Sequence, residues 1–217
     1  MLWSHSPTKI IIDMSNIEEI KKTINGINTI LLNTDKVTHI YASGFSGFIS
    51  DMVSFPSLEI LDAASFTGAN IKYVKNLGKI TEIKNDTFNG CNCIEVCLPP
   101  TCKTLKSWSF YNCTIHKISG TDYIETFDSF YIIYGVSQLK TLSFKNLTTI
   151  ISSNNYIISS CSQLEEITSL GKLTEFPINF LYSLYKLKYL DIPETLRTLN
   201  ENCISLYNTY SNSYYHI

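Results

Sequence analysis

Arginine is nearly missing from this chain: Arg197 is the sole example among 17 basic residues, and the net charge is −2. Proteins that grip nucleic acid usually present a basic face rich in Arg and Lys, so no nucleic-acid partner is expected. Charged residues of every kind reach only 17%, against 44% apolar. Disorder needs the opposite balance, low hydrophobicity with high charge, and is excluded. No stretch approaches the roughly 18 consecutive apolar residues of a membrane-spanning helix. The opening Met1-Leu2-Trp3-Ser4-His5-Ser6-Pro7 has neither the charged start nor the apolar core of about 7–15 residues that marks a secretory leader. The chain is therefore expected in the cytoplasm if it is complete, and at the cell surface if it is a fragment of a larger protein.

Catalytic signatures are equally scarce. The four histidines, His5, His39, His116 and His216, are scattered and form no H-E-x-x-H. There is no G-x-S-x-G, no P-loop and no G-x-G-x-x-G. Gly44-Phe45-Ser46-Gly47 has the wrong spacing for a nucleophile elbow. No catalytic residue, enzyme activity or cofactor is expected.

What the chain does have is a repeat. A hydrophobic quartet recurs as Val37-x-x-Ile40-x4-Phe45-x-x-Phe48, Leu58-x-x-Leu61-x4-Phe66-x-x-Ala69, Ile80-x-x-Ile83-x4-Phe88-x-x-Cys91 and Cys102-x-x-Leu105-x4-Phe110-x-x-Cys113. It continues in looser form from Ile124, Leu147, Leu173 and Leu196. A second motif, apolar-x-x-apolar, keeps the same period at Ile27, Ile49, Ile71, Ile94, Ile115, Leu139, Leu164 and Leu187. Two series sharing a period of 22–23 residues point to a solenoid, in which each unit buries its apolar edge only against its neighbours. The expected class is an α/β, β-rich solenoid with one parallel strand per repeat. Each coil should also hold a tight turn, best seen at Leu98-Pro99-Pro100 and Ile192-Pro193, a second short extended piece, and a helical turn around the Phe.

The ends differ from the repeat. Lys9-Ile10-Ile11-Ile12 reads as a strand. Ser15-Asn16-Ile17-Glu18 has capping-box spacing, Ile17, Ile20 and Ile24 share a helical face, and Gly26 is placed to end the helix. Residues 1–26 are thus expected to form an N-terminal cap of strand plus helix, 27–207 about eight repeats, and 208–217 a tail or minimal cap. Between Leu147 and Leu173 the period stretches to 26 residues, with the extra length in a polar loop at 152–156.

Phe88-Asn89-Gly90-Cys91 with Ile94 and Leu98-Pro99, then Phe110-Tyr111-Asn112-Cys113 and Leu187-Lys188-Tyr189-Leu190-Asp191-Ile192-Pro193, resemble the consensus of BspA-like leucine-rich repeats. The likeness loosens from 120 to 160, where Ile132 and Asn155 stand at the expected Phe seat. The resemblance implies a right-handed leucine-rich-repeat superhelix with a parallel sheet on its inner face. It also implies an association with cell-surface antigens and adhesion, and it carries no catalytic residues.

Seven cysteines raise the question of a metal. Cys91, Cys93, Cys97 and Cys102 crowd together, but a zinc site wants thiolates converging from paired knuckles. Cys91, Cys97, Cys102, Cys113 and Cys161 all fall at repeat positions that need a small apolar residue, where a free Cys is at home. Only Cys93 and Cys203 lie off that ladder and are expected to be the accessible thiols. No metal is expected, and an odd count suits a reduced compartment better than a disulfide framework. The glycosylation triplets at Asn85, Asn112 and Asn146 are no more than chance supplies in so Asn-rich a chain.

The strand face is the best candidate for function. Residues two and four after each strand start should project outward in two columns. One column is Thr29, Asp51, Tyr73, Val96, Lys117, Thr141, Glu166 and Tyr189; the other is Leu31, Val53, Lys75, Leu98, Ser119, Ser143, Thr168 and Asp191. Tyr73, Lys75, Lys117, Glu166, Tyr189 and Asp191 are the candidate binding residues for a protein partner, since aromatics among mixed charges suit such interfaces. Lys72, Lys75 and Lys117 toward one end, against Glu165, Glu166 and Asp191 toward the other, suggest a charge gradient along the axis. The alternative is a structural or adhesive repeat segment of a cell-surface antigen.

Overall fold

The structure is a computed structural model and describes residues 9–23, 25–151, 156–208 and 213–216. The chain winds into a parallel β-solenoid of about nine coils with almost no helix. Among the described residues only the three-residue 3-10 turns Thr34–Lys36 and Thr121–Tyr123 are helical.

Each coil has three faces. The first carries the longest strands: Ile10–Asp13, Thr29–Leu32, Ile49–Ser54, Asn70–Asn76, Asn92–Cys97, Thr114–Ser119, Thr141–Ser143, Glu166–Ser169 and Tyr189–Leu190. The second carries strands of two or three residues, from Glu19–Ile20 to Thr198–Leu199. The third begins as a stack of tight turns. It becomes a ladder from Phe110–Tyr111 through Ile133–Tyr134, Ile158–Ser159 and Leu181–Tyr182 to Ile204–Asn208, where Ser213–His216 closes it antiparallel.

On the first face two inward residues stand three apart: Ile71 and Val74, Cys93 and Val96, Ile115 and Ile118, all buried. A flat strand would turn such a pair to opposite sides. Here the ladder skips Asp51, Lys72, Ile94 and His116, so each strand bends between its two seats and both point inward. This corrects the strand register at three copies. The seats are Ser50 and Val53, not Ile49 and Met52; they are Cys93 and Val96, not Ile94 and Cys97; and Thr29, not Ile27, is buried in the second coil. Met52 and Ile94 are exposed instead. The sequence misleads here because apolar side chains occupy both sides of these strands.

The quartet forms the core. Phe45, Phe66, Phe88 and Phe110 stack as one buried column, with ring centroids 5.2, 5.3 and 5.3 Å apart and planes within 7° of parallel. The ladder carries the column on through Ile133, Ile158, Leu181 and Ile204. Ile133 therefore holds the seat expected for Ile132, and Ile158 the one expected for Asn155, which itself lies outside the described residues. The turn around each Phe is not helical. Gly44 N–H donates to the Tyr41 carbonyl, Ser46 to Ser43 and Phe48 to Phe45, at 2.9, 3.1 and 3.1 Å, making a chain of four-residue turns. These need left-handed backbone on both sides of the ring, at Ser43 (φ 60) and Gly47 (φ 66), as again at Ala64 (φ 57) and Gly68 (φ 65), and glycine meets that need without a Cβ penalty. The corner before each second-face strand is a single turn closed by bonds such as Cys102 N–H to the Pro99 carbonyl (2.9 Å) and Leu196 N–H to the Pro193 carbonyl (2.9 Å), at the two places where proline marks it.

The expected helix over 15–26 does not form. Ile10–Asp13 is a strand, but Glu19–Ile20 is a second-face strand parallel to His39–Ile40. Thr23 N–H donates to the Gly44 carbonyl as in later coils. Ile17-x-x-Ile20 is a further copy of the quartet's first half, and its three-residue spacing serves a coil as well as a helix. Ile20 is buried while Ile17 is exposed; Ile24 and the loop residues 152–155 lie outside the described residues.

The sheets are interrupted, and the seams are staggered. On the first face the ladder thins to a single bridge, Asn28 to Ile49, between Thr29–Leu32 and Ile49–Ser54, and the open seam falls between Thr114–Ser119 and Thr141–Ser143. On the second face the breaks fall between Ile60–Leu61 and Glu82–Ile83 and between Thr149–Ile150 and Glu175–Phe176. Across each of these breaks the other faces remain hydrogen-bonded.

Candidate functional site

The six candidate residues all sit on the first face. Tyr73 and Lys75 lie on Asn70–Asn76, Lys117 on Thr114–Ser119, Glu166 on Glu166–Ser169, Tyr189 on Tyr189–Leu190, and Asp191 follows it. The ladder aligns Met52, Tyr73, Glu95 and Lys117 as one column, and Thr141, Glu166 and Tyr189 as its continuation beyond the seam. Thr29, Val53, Val96 and Leu98, expected to project outward, are buried, as the corrected register requires.

Glu95 is the hub that sequence reading missed. Lys75 pairs with one carboxylate oxygen, Lys117 reaches the other at 3.1 Å, and the Ser119 hydroxyl donates to it at 2.6 Å. The Lys75 ammonium also stands 4.8 Å from the centre of the Tyr73 ring, within cation–π range. Hydrogen bonds from Lys75 and Ser119, with Lys117 beside them, hold the Glu95 carboxyl down to about 2. Had Cys93 been given its inward seat, Glu95 would have fallen between Tyr73 and Lys117 in the same column.

A second cluster stands upstream. Asp51 takes Lys72 at 2.8 Å and Lys9 at 3.0 Å, and their hydrogen bonds hold its carboxyl at about 2. Beyond the seam Lys188 pairs with Glu165 at 2.8 Å. Local pairing weakens the expected gradient without reversing it. Lys9, Lys72, Lys75 and Lys117 face Asp51 and Glu95 on one side of the seam, while Lys140 and Lys188 face Glu165, Glu166 and Asp191 on the other. Among these residues the first side keeps a basic excess and the second an acidic one.

The seam itself opens a cleft of about 360 Å³ lined by Lys117, Ser119, Asp122, Tyr123, Ser143 and Thr168, among others. Asp122 accepts from the Ser143 hydroxyl at 2.6 Å and pairs with Lys145 at 2.7 Å. Burial opposes its charge, but Lys145 and Ser143 still hold the carboxyl below its usual range. Its wall mixes hydroxyl-bearing residues with Ile118 and Leu142, and the Ser119 and Ser143 hydroxyls are already committed to Glu95 and Asp122.

None of the seven cysteines is joined in a disulfide. Cys91, Cys102, Cys113 and Cys161 are buried as expected, but so are Cys93 (2% exposed) and Cys203 (0%), which corrects their assignment as the accessible pair. Cys97 alone is only partly buried. Cys93 occupies an inward strand seat, and Cys203 lies in the last coil beneath the third face, where the Leu181 N–H donates to its carbonyl. Burial pushes every one of these thiols up, Cys93 to about 11 and Cys102, Cys113 and Cys161 to about 12. Among the described residues no three His, Cys, Asp or Glu side chains gather to hold an ion, and no helix is long and apolar enough to cross a membrane.

No curated protein and no solved structure matches the chain. A model of six copies of the BspA type leucine rich repeat region matches residues 19–131, 59–154 and 81–212. Those overlapping matches span the quartets and strand seats described above, and with them the chain belongs to the BspA-type leucine-rich-repeat family.

Proposed function

We propose that this chain is a non-enzymatic scaffold that captures a protein partner across its first face. Tyr73, Lys75, Lys117, Glu166, Tyr189 and Asp191 would form the contact, with Glu95 holding the basic side chains in place. The observation that carries this reading is the exposure of Met52 (54%), Ile94 (41%) and Tyr189 (53%) amid ion pairs along the first face, on either side of its seam. Apolar and aromatic side chains rimmed by charge are what a desolvated interface centre uses. The residual charge asymmetry would act mainly on association rate.

The test takes a partner identified by affinity capture, purifies it, and titrates it calorimetrically. Tyr73→Ala and Tyr189→Ala should each weaken binding about tenfold without lowering the melting temperature, while Trp108→Ala on the third face should not. If both tyrosine variants bind like the unaltered chain, the first face is not the site. The rival reading, a spacing or adhesive segment of a surface protein, rests on family membership; fractionation of the native source separates the two by where the chain is found.

A further inference from the structure

The third face carries a different kind of site. Tyr111, Tyr134, Ser159 and Tyr182 are successive rungs of one hydrogen-bonded ladder. Tyr111 and Tyr134 stack with centroids 5.0 Å apart and planes 11° from parallel. At the next rung the ring is replaced by the buried Ser159, and the aromatic series resumes at Tyr182. The missing ring leaves a notch of about 300 Å³, lined by Tyr131, Tyr134, Tyr156, Ser159, Ser160 and Tyr182. Its flanks are stiff. Tyr131 stacks on Tyr156 at 5.7 Å and 5°, meets Tyr134 edge-on at 4.9 Å, and Tyr156 meets Tyr182 edge-on at 4.7 Å. The Ser159 and Ser160 hydroxyls lie 3.3 Å apart. A second cavity of about 370 Å³ shares Tyr131 and Tyr134 and adds Trp108, Tyr111, Asp86 and Asn89.

We propose that this notch binds one pyranose ring of a neutral oligosaccharide, with the adjoining cavity receiving the next unit. A pyranose has apolar C–H faces and a hydroxylated rim. Tyrosine rings offer the first a flat or edge-on apolar contact, and the Ser160 hydroxyl, the Tyr131 and Tyr134 phenols and Asn89 offer the second both donors and acceptors. A purely hydrocarbon ring would instead cover the half-buried Ser160 hydroxyl and the phenols with groups that cannot bond them. No lysine or arginine lines either cavity, so an anionic sugar finds no counter-charge. Burial and the neighbouring tyrosines push the Tyr131 phenol up, which keeps it protonated as a donor. Each cavity stands at the lower end of the range that holds small ligands, about 300–1,000 Å³, a fit for a ring or two and not for a protein domain.

The chain is titrated with cellohexaose, maltohexaose and N-acetylated chitohexaose, following Trp108 fluorescence and heat. At least one should bind. Ser159→Tyr fills the notch and should abolish that binding, but because Ser159 is already buried the added ring overpacks the site and should lower the melting temperature. Ser160→Tyr, at the half-buried neighbour, should block binding with the melting temperature unchanged. Tyr134→Ala should weaken it about tenfold through loss of one wall, and Tyr73→Ala on the first face should leave it intact. N-acetyltryptophanamide serves as a probe for an aromatic side chain in the same notch. The proposal is overturned if no hexasaccharide binds at millimolar concentration, if Ser159→Tyr binds as well as the unaltered chain, or if the notch takes N-acetyltryptophanamide and no sugar.

Discussion

Replacing Phe88 with alanine puts the largest strain on the account of the core given above. The ring is fully buried and lies between Phe66 and Phe110, 5.3 Å from each and within 7° of parallel to both. Truncating a buried phenylalanine costs about 3–5 kcal/mol in lost transfer energy and cavity formation. Two stacked partners each add about 0.5–1.5 kcal/mol beyond the area term, so the expected loss falls near the upper end, about 5 kcal/mol. The backbone around Phe88 is pinned on both sides, its N–H donating to the Ser109 carbonyl at 3.0 Å and the Phe66 N–H to the Thr87 carbonyl at 2.9 Å, so collapse to fill the cavity is restricted. Urea unfolding followed by circular dichroism measures the loss, with Leu199→Ala, about half exposed, as a control near zero. A double-mutant cycle with Phe66→Ala should return a coupling of about 0.5–1.5 kcal/mol. A total loss under about 1 kcal/mol, or a coupling indistinguishable from zero, would refute the stacked column.

Two further outcomes follow from the electrostatics. In the native chain Cys97 should react first with a thiol reagent, ahead of the six buried thiols, and its rate should climb as pH rises toward its elevated pKa, since the thiolate is the nucleophile; mass spectrometry showing Cys93 or Cys203 modified first would contradict the register. Glu95 and Asp51 titrate near 2 when folded, below their ordinary values of 4.5 and 3.8, so the unfolded chain binds protons first as acid is added. Their contribution is complete above about pH 4.5 and is lost as pH falls toward about 2. Glu95→Gln should flatten the loss of stability across that window, and an unchanged acid profile would mean the Lys75–Glu95–Lys117 cluster contributes nothing.

The solenoid was legible because two independent motifs kept one period, and the Phe column because a large ring repeated at one seat. Register on the first face was not. Ser50 and Cys93 fill inward seats that an eye for large apolar residues gives to Ile49 and Ile94, and the bend after the first seat breaks the alternation that would have exposed the error. The helix expected near Ile17 failed for a related reason: a spacing of three fits a helical turn and a solenoid corner alike. The tyrosine ladder left a readable trace, since Tyr111, Tyr134 and Tyr182 each follow directly on a core residue of the same column, Phe110, Ile133 and Leu181. That trace becomes visible only when the core seat in the later coils is recognised as Ile or Leu in place of Phe. Glu95 could not be found without the correct register at all.

The staggered seams bear on how such a rod would break. A crack travelling between two coils has to open all three faces at one level. Here each interruption on one face is spanned by continuous ladders or turn hydrogen bonds on the others, as courses of brick overlap the joints beneath them. Pulling along the axis therefore finds no plane of easy cleavage, and load is passed sideways around each gap. The gap on the first face can then serve as an open cleft without costing the rod its continuity.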